Sequence, residues 1–275
     1  MSIDNQILES LSTLITASRE KAREANQIFY NREVQDRLLE LYDESGLVAS
    51  LTHQVLMNRE VAHSFCITLR GIKDLWNKEE VQLAFAEALR KGDTLLIDAI
   101  SFIKQYRDVP VIQEAIAYNI ATCSSMLFQI SVACGIGLCN HPSIKQAILG
   151  RKKDVIERIR ENWHESVCLT STPYLIHDAE VRQVLNDARK DMIREIIKEE
   201  HLVDVSFLIR ELEWLRHDTK IVAAIRERIS DISTRLDYIF MKTLRDYGMF
   251  QQYPELMDAL NLHDDATRKW ILEVI

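Results

Sequence analysis

Residues that break regular structure are scarce in this sequence. It contains 7 glycines and 4 prolines among 275 residues, whereas average usage of about 7% and about 5% would give roughly 19 and roughly 14. No window of useful length alternates polar and apolar residues as a half-buried β-strand does. Leu, Ile, Ala, Glu, Arg and Lys, all acceptable in helices, fill the intervals between the breakers. The sequence therefore predicts an all-α fold.

An excess of positive charge is also absent. The 34 Lys and Arg residues are outnumbered by 42 Asp and Glu residues, which gives a formal net charge of −8. A broad nucleic-acid footprint needs a basic face that neutralises phosphates, so this balance argues against a nucleic-acid partner. The first residues, Met1 to Asn5, include an acid and no base, which argues against a secretory signal.

Cysteines with the spacing of a disulfide framework or a zinc site are missing. The five cysteines are an odd number in a long chain, which is typical of reduced thiols in the cytoplasm. Cys134 and Cys139 lie close in sequence, but no second closely spaced pair accompanies them. We therefore expect a cytoplasmic protein whose thiols pack as small apolar side chains, and we expect no cofactor.

One segment lacks charged residues altogether, from Ala115 to Ile144. A membrane-spanning helix needs about 20 predominantly apolar residues, and polar residues interrupt this segment throughout. They are Asn119, Thr122, Ser124, Ser125, Gln129 and Ser131. A helix that is apolar on every side is also typical of the centre of a large protein. The segment therefore predicts a central helix surrounded by others, and no membrane partner.

The helix starts of the second half resemble one another. Each combines a capping region, two small or polar residues and a β-branched residue, as in Asn140–Ile144, His177–Val181 and His217–Ile221. The anchor residues of successive starts, 37, 40 and 35 positions apart, are Ile144, Val181, Ile221 and Leu256. Periods of about 34 to 47 residues are typical of two-helix repeats that stack into solenoids.

With this period the chain resembles a divergent HEAT- or armadillo-type helical repeat protein over residues 107–262. The first half breaks the pattern, because Val34, Val61 and Val81 are only 27 and 20 residues apart. Any good helix start also shows a cap followed by polar residues. The fold is therefore expected to be a solenoid-like multi-helix array, with an irregular helical bundle as the alternative.

These helices predict one all-α domain over residues 1–275. The alternative is a helical N-terminal part, 1–106, followed by a repeat-like part, 107–275. Solenoids expose long surfaces that hold other macromolecules, so fold-level analogy indicates a non-catalytic scaffold or adaptor that binds a protein or peptide. No Gly-rich phosphate loop, Gly-x-Ser-x-Gly turn or His-Glu-x-x-His motif points to an enzyme, and no catalytic residue is predicted.

Two Glu-x-x-His pairs support a different hypothesis, an enzyme with a di-metal carboxylate site. They are Glu60 with His63 and Glu161 with His164. On a helix, residues three apart share a face, and two such pairs with two bridging glutamates build the metal site of ferritin-like bundles. Glu33 and Glu114 are the bridging candidates, although Pro142 interrupts the interval between Glu114 and Glu161.

A basic cluster supports a third hypothesis, a nucleic-acid-binding protein that resembles HEAT-like alkylpurine glycosylases. The cluster consists of Arg151, Lys152, Lys153, Arg158 and Arg160. Four acids, among them Asp154 and Glu157, alternate with it at helical spacing. Such interleaving favours a solvated face with ion pairs between successive turns.

A heptad-like seam offers a surface for a homodimer. Its residues follow each other at intervals of 4, 3, 4 and 3, and they are Ile225, Ile229, Ile232, Leu236 and Ile239. Sustained coiled coils usually run for three or four heptads, whereas this seam covers about two. Packing against a neighbouring helix of the same chain is therefore favoured over dimerisation.

Overall fold

The fold is all-α, as the sequence predicts. The computed structural model describes residues 2–92, 95–198, 202–230, 237–263, 266 and 268–269. Regular structure in these residues consists of α-helices and short 3-10 helices, and they contain no β-strand. Contacts divide the chain into two compact units, Met1–Arg151 and Lys152–Ile275. This boundary does not coincide with the subdivision expected at residue 106, and a single domain over 1–275 stays a prediction.

The first unit contains eleven α-helices in its described residues. In chain order they are α1 (Ile3–Thr16), α2 (Arg19–Asn26), α3 (Arg32–Glu44), α4 (Gly46–Met57), α5 (Ala62–Thr68), α6 (Lys73–Trp76), α7 (Glu79–Arg90), α8 (Leu96–Ala99), α9 (Pro110–Thr122), α10 (Met126–Gly135) and α11 (Pro142–Gly150). The 3-10 helices Gln27–Tyr30 and Lys104–Asp108 precede α3 and α9.

Two sets of helices form two layers in this unit. In the first layer α4 packs on α7, α7 on α9 and α9 on α11. In the second layer α2 packs on α5, α5 on α8 and α8 on α10. The chain passes from one layer to the other and back between successive helices of the first layer. Buried apolar side chains such as Phe65, Phe85 and Ile116 fill the core.

The helices of the first layer run parallel. This follows from hydrogen bonds in which a side chain at the end of one helix reaches the end of the preceding helix. Asn119, near the end of α9, donates to the Leu89 carbonyl oxygen at the end of α7 over 2.6 Å. Arg151, just after α11, donates to the Ala121 carbonyl oxygen at the end of α9 over 2.8 Å. The last carbonyl groups of a helix have no partner inside it, so these contacts satisfy them and place the helix ends side by side.

The anchor residues occupy equivalent positions. Each is the third residue of its helix and is buried: Val48, Val81, Ile112, Ile144, Val181, Ile221 and Leu256. The intervals between them are 33, 31, 32, 37, 40 and 35 residues. The irregular spacing expected for the first half is wrong, because Val61 precedes α5 in the second layer and Val48 is the matching residue.

The second unit contains ten α-helices in its described residues. They are α12 (Lys152–Glu161), α13 (Pro173–Ile176), α14 (Ala179–Asp187), α15 (Arg189–Lys198), α16 (Leu202–Glu211), α17 (Glu213–Arg216), α18 (Thr219–Ser230), α19 (Asp237–Asp246), α20 (Met249–Gln252) and α21 (Pro254–Leu260). A 3-10 helix, Trp163–Leu169, follows α12. One set of contacts joins α12 to α14, α15 to α18 and α18 to α21, while the 3-10 helix packs on α16 and α16 on α19.

Two equivalent ion pairs support helix starts in the second unit. Lys152 Nζ lies 2.8 Å from Asp178, the N-cap of α14, and Arg189 Nη1 lies 2.8 Å from Asp218, which precedes α18. Asp178 also accepts the backbone N–H of Glu180 over 2.9 Å. Burial acts to raise the pKa of Asp178, but the hydrogen bonds from Lys152 and from the backbone outweigh it and hold that pKa below its ordinary value.

The uncharged segment forms two helices, α9 and α10, and the single central helix expected from the sequence is wrong. Residues 123–125 separate the two helices, and Cys123 has an extended backbone at the end of α9. Each helix also reaches the surface, since Tyr118 is 51% exposed and Phe128 is 43% exposed. No helix in the described part of the chain is long and apolar enough to cross a membrane.

Candidate protein-binding surface

Each helix of the first layer presents one large apolar side chain to solvent. Leu47 of α4 is 57% exposed, Leu83 of α7 is 48% exposed, Tyr118 of α9 is 51% exposed and Leu149 of α11 is 45% exposed. Single exposed apolar residues are ordinary on protein surfaces. Here they recur on four helices that pack in sequence. We call the exposed side of α4, α7, α9 and α11 the outer face.

The outer face is continuous across α7 and α9. Both helices have a neighbour on each side within the layer and the second layer beneath them, so only one side of each remains exposed. Arg90 Nη2 of α7 lies 3.9 Å from Glu114 of α9 across this side. Leu83 stands about two turns before Arg90, and Tyr118 one turn after Glu114. The two apolar side chains therefore belong to one surface.

A groove runs between α4 and α7 on this face, with a volume of about 600 Å³. Small residues such as Gly46, Ala49 and Ala84 line it, together with the larger apolar side chains of Met57 and Leu83. The other half of the lining is polar: Ser50, His53, Gln54, Glu80 and Glu87. Small residues in the lining allow another chain to come close to the helix backbones. Its apolar side chains would gain free energy when buried against Met57 and Leu83.

His53, which lines the groove, and its neighbour Tyr42 are both uncharged. His53 Nε2 lies 2.8 Å from the Tyr42 hydroxyl. Burial raises the pKa of Tyr42 to about 12, with the carboxylates of Glu80 and Asp43 adding to the shift. Burial lowers the pKa of His53, although Glu80 opposes this. Both side chains are therefore uncharged at neutral pH, and the charge of the groove comes from its glutamates.

One of the two glutamates in the groove forms no ion pair with a cationic side chain of the described residues. Glu87 lies 2.7 Å from Lys91 Nζ, one turn further along α7. The lysine before α7, Lys78, pairs with Asp43. Glu80 forms no ion pair with any described residue, and its negative charge acts on the neighbouring Tyr42 and His53.

The residues of the metal hypothesis do not form the predicted helical pairs. Glu60 precedes α5, which begins at Ala62, so it does not share a helical face with His63. Glu60 lies 3.1 Å from Arg19, and His63 Nε2 lies 3.1 Å from Asp98. In the residues that the structure describes, no three His, Cys, Asp or Glu side chains form a group that could hold a metal ion.

The second pair is divided in the same way. Glu161 ends α12, and His164 belongs to the 3-10 helix that follows. His164 lies between two carboxylates, with Nε2 3.2 Å from Glu195 and Nδ1 3.1 Å from Asp204. Since the two ring nitrogens point to different acids, this cluster joins α15 and α16 to the 3-10 helix. The bridging candidates are separate as well, because Glu33 is exposed and Glu114 pairs with Arg90.

Two residues of the basic cluster, Arg151 and Lys152, form contacts within the protein. Arg151 donates to carbonyl groups at the end of α9, and Lys152 pairs with Asp178 and Glu180 at 2.8 and 2.7 Å. The remaining members of the cluster, Lys153, Arg158 and Arg160, are exposed. Arg158 lies 4.0 Å from Glu161. Two of the five predicted patch residues therefore stabilise helix ends.

The homodimer seam is wrong for its first two residues. Ile225 and Ile229 are fully buried, on a helix that packs between α15 and α21. Their side chains lie in the core of the unit and are not accessible to a second copy of the protein. Ile239 is 47% exposed. Ile232 and Leu236 lie outside the described residues.

The five cysteines, all in the described part of the chain, are thiols that form no disulfide. Cys134 and Cys139 are buried, as expected for thiols that pack as apolar side chains. Burial raises the pKa of Cys168, and the carboxylates of Glu165 and Asp204 add to the shift. A raised thiol pKa disfavours the thiolate, which is the nucleophilic form.

The outer face was not predicted from the sequence, although a signal for it exists. On α7 the buried residues Val81, Phe85 and Leu89 form one helical stripe, and Leu83 lies off that stripe. Tyr118 likewise lies off the buried stripe of α9. Recurrence of large apolar residues outside the core stripes of successive amphipathic helices is the signal that indicates an exposed contact surface. No protein-family model, curated protein or solved structure matches the chain.

Proposed function

We propose that this protein is a non-catalytic cytoplasmic scaffold or adaptor that binds a protein or peptide partner through the outer face. The observation that carries the proposal is the recurrence of one exposed, large apolar side chain on each of four successively packed helices. Full burial of such a side chain contributes about 1.5 to 3 kcal/mol, and covering the exposed half that remains here contributes roughly half of that before the costs of association. Leu83 and Tyr118, which share one surface, are the central anchors of the proposed site, and Leu47 and Leu149 extend it to the flanking helices.

The proposal includes a HEAT- or armadillo-type repeat architecture. It is supported by the buried anchors at intervals of 31 to 40 residues and by the parallel first layer of the first unit. The equivalent ion pairs of Lys152 and Arg189 support it as well, since they recur 37 residues apart. In such arrays each repeat contacts its neighbours and the exposed helices form a long binding surface.

The two alternative functions have less support. A di-metal enzyme needs Glu and His side chains on common helical faces, and Glu60 and Glu161 lie on different elements from their histidines. A nucleic-acid-binding protein needs basic side chains that are free for phosphates, and Arg151 and Lys152 make internal contacts.

Selection from a displayed library of random peptides tests the proposal. We expect the protein to enrich peptides whose binding weakens by about tenfold or more in Leu83→Asp and Tyr118→Asp variants, because anchor residues dominate such interfaces. Phe128→Asp is the matched control, since Phe128 is 43% exposed on α10 in the other layer. Failure to enrich any peptide, or enrichment that survives both outer-face substitutions, contradicts the proposed function.

A further inference from the structure

The groove between α4 and α7 has the dimensions of a helix-binding site. It extends from Gly46 to Met57, the first and last of the twelve residues of α4, and a helix of that length spans roughly 18 Å, or about three turns. Gly46, Ala49 and Ala84 contribute no large side chains to its lining, while Met57 and Leu83 contribute apolar ones. An apolar stripe on a partner helix could contact Met57 and Leu83 there.

The main chain of α4 and α7 explains why a helix suits the groove better than an extended peptide. Apart from the N–H groups of their first turns, both helices satisfy their own backbone groups, so the groove offers no continuous row of free N–H and C=O groups. An extended peptide would lose water from its backbone without gaining partners there, which is costly. A helix enters the groove with its backbone hydrogen bonds already made.

The charge of the groove indicates which polar residue the partner carries. Glu87 is already neutralised by Lys91 at 2.7 Å. Tyr42 and His53 are neutral at neutral pH because burial shifts both pKa values away from their charged forms. Glu80 is the remaining charge, at the end of the groove where α7 begins. A cation placed there gains electrostatic energy, and an anion is repelled.

We propose that the groove binds an amphipathic helix of a partner protein, with apolar side chains against Met57 and Leu83 and a Lys or Arg side chain against Glu80. The inference rests on the proposed function and names the class of partner for one part of the same outer face. The partner is thus a helix that is apolar on one side and basic at its edge.

Two fluorescent model peptides of about 18 residues test the inference. Both carry leucines along one helical face, and their flanking positions are all Lys in one peptide and all Glu in the other. Fluorescence anisotropy with the full chain is expected to show the Lys peptide binding at least about tenfold more tightly. In Glu80→Lys the preference is expected to reverse, and in Leu83→Asp both peptides are expected to bind weakly.

Glu79→Lys is the matched control for the charge of the groove. Glu79 and Glu80 both lie in the first turn of α7, so either change alters the net charge and the helix end equally. Only Glu80 lines the groove. We expect Glu79→Lys to keep the preference for the Lys peptide. An equal effect of the two substitutions, or binding of neither peptide, overturns the inference.

The outcomes also separate this inference from the proposed function. If the library selection yields peptides that depend on Leu83 but the two model peptides bind equally, the outer face binds partners and the basic-helix inference falls. If the selection yields nothing that depends on Leu83 or Tyr118, both fall together.

Discussion

At the scale of single residues, the amide of Asn58 closes the end of α1. Its Nδ2 lies 2.8 Å from the carbonyl oxygen of Leu14 and 3.1 Å from those of Ile15 and Ala17. Its Oδ1 also accepts the backbone N–H of Glu60 over 3.1 Å. One side chain thereby satisfies several groups that a helix end leaves without partners.

Replacing Asn58 tests this role. We expect Asn58→Ala to lower the free energy of unfolding by about 1 to 3 kcal/mol, because several hydrogen bonds are lost together. Asn58→Asp should cost more, since its carboxylate would face three carbonyl oxygens. Asn77→Ala, at an exposed asparagine, is the control and should stay within about 0.5 kcal/mol. Urea unfolding measures all three, and equal effects of Asn58→Ala and Asn77→Ala would exclude the capping role.

At the scale of helices, the sequence predicts the starts much better than the ends. Ile144, Val181, Ile221 and Leu256 mark helix starts in the sequence, and all four occupy the third position of a helix. The break at Arg151 follows Gly150, whose φ is not positive, and the break at Ala188 has neither proline nor glycine beside it, so the local signals are weak. The breaks follow from tertiary contacts: the residue at or just after each break, Arg151 or Arg189, reaches a neighbouring helix end.

The groove between α4 and α7 could not be predicted from the sequence, for a related reason. Leu83 and Tyr118 are marked by their positions off the buried stripes of α7 and α9, but the helix that packs beside each of them is not. Glu80 and His53 are far apart in sequence and meet only because α4 packs on α7. Periodicity within one helix cannot report such a pairing.

The N-cap ion pairs make a prediction about pH. The pKa of Asp178 is lower in the folded protein than in the unfolded chain. Its stabilisation is therefore fully present above the ordinary carboxyl pKa of about 3.9, and it is lost as the pH falls through the lowered value. Asp178→Asn keeps the cap but loses the ion pair with Lys152.

The expected result is a gap in unfolding free energy between the protein and Asp178→Asn that is widest near neutral pH and closes in acid. Urea unfolding over a series of pH values measures it. Asp178→Ala should lose about 1 kcal/mol more than Asp178→Asn at every pH, because it removes the cap as well. A gap that widens as the pH falls would refute the assignment.

At the scale of the whole molecule, the outer face and its supporting contacts lie within the unit Met1–Arg151. We expect a fragment of residues 1–151 to fold and to bind the same peptides as the full chain, because stability in stacked repeats is approximately a sum of local terms. A fragment of residues 1–145 is the control, since it lacks Arg151 and half of α11. Circular dichroism and peptide binding compare them; equal melting temperatures for the two fragments would count against the role of Arg151.

The capping contacts between layer helices have a consequence for synthesis on the ribosome. The end of α7 is closed by Asn119, 30 residues after Leu89, and the end of α9 by Arg151, 30 residues after Ala121. The side chain that completes each of these two helices thus leaves the ribosome 30 residues after the helix end that it caps. This unit therefore forms its native contacts one repeat at a time, because each helix end is capped only when the following repeat has emerged. If translation stalls, the last helix lacks the side chain that caps its end.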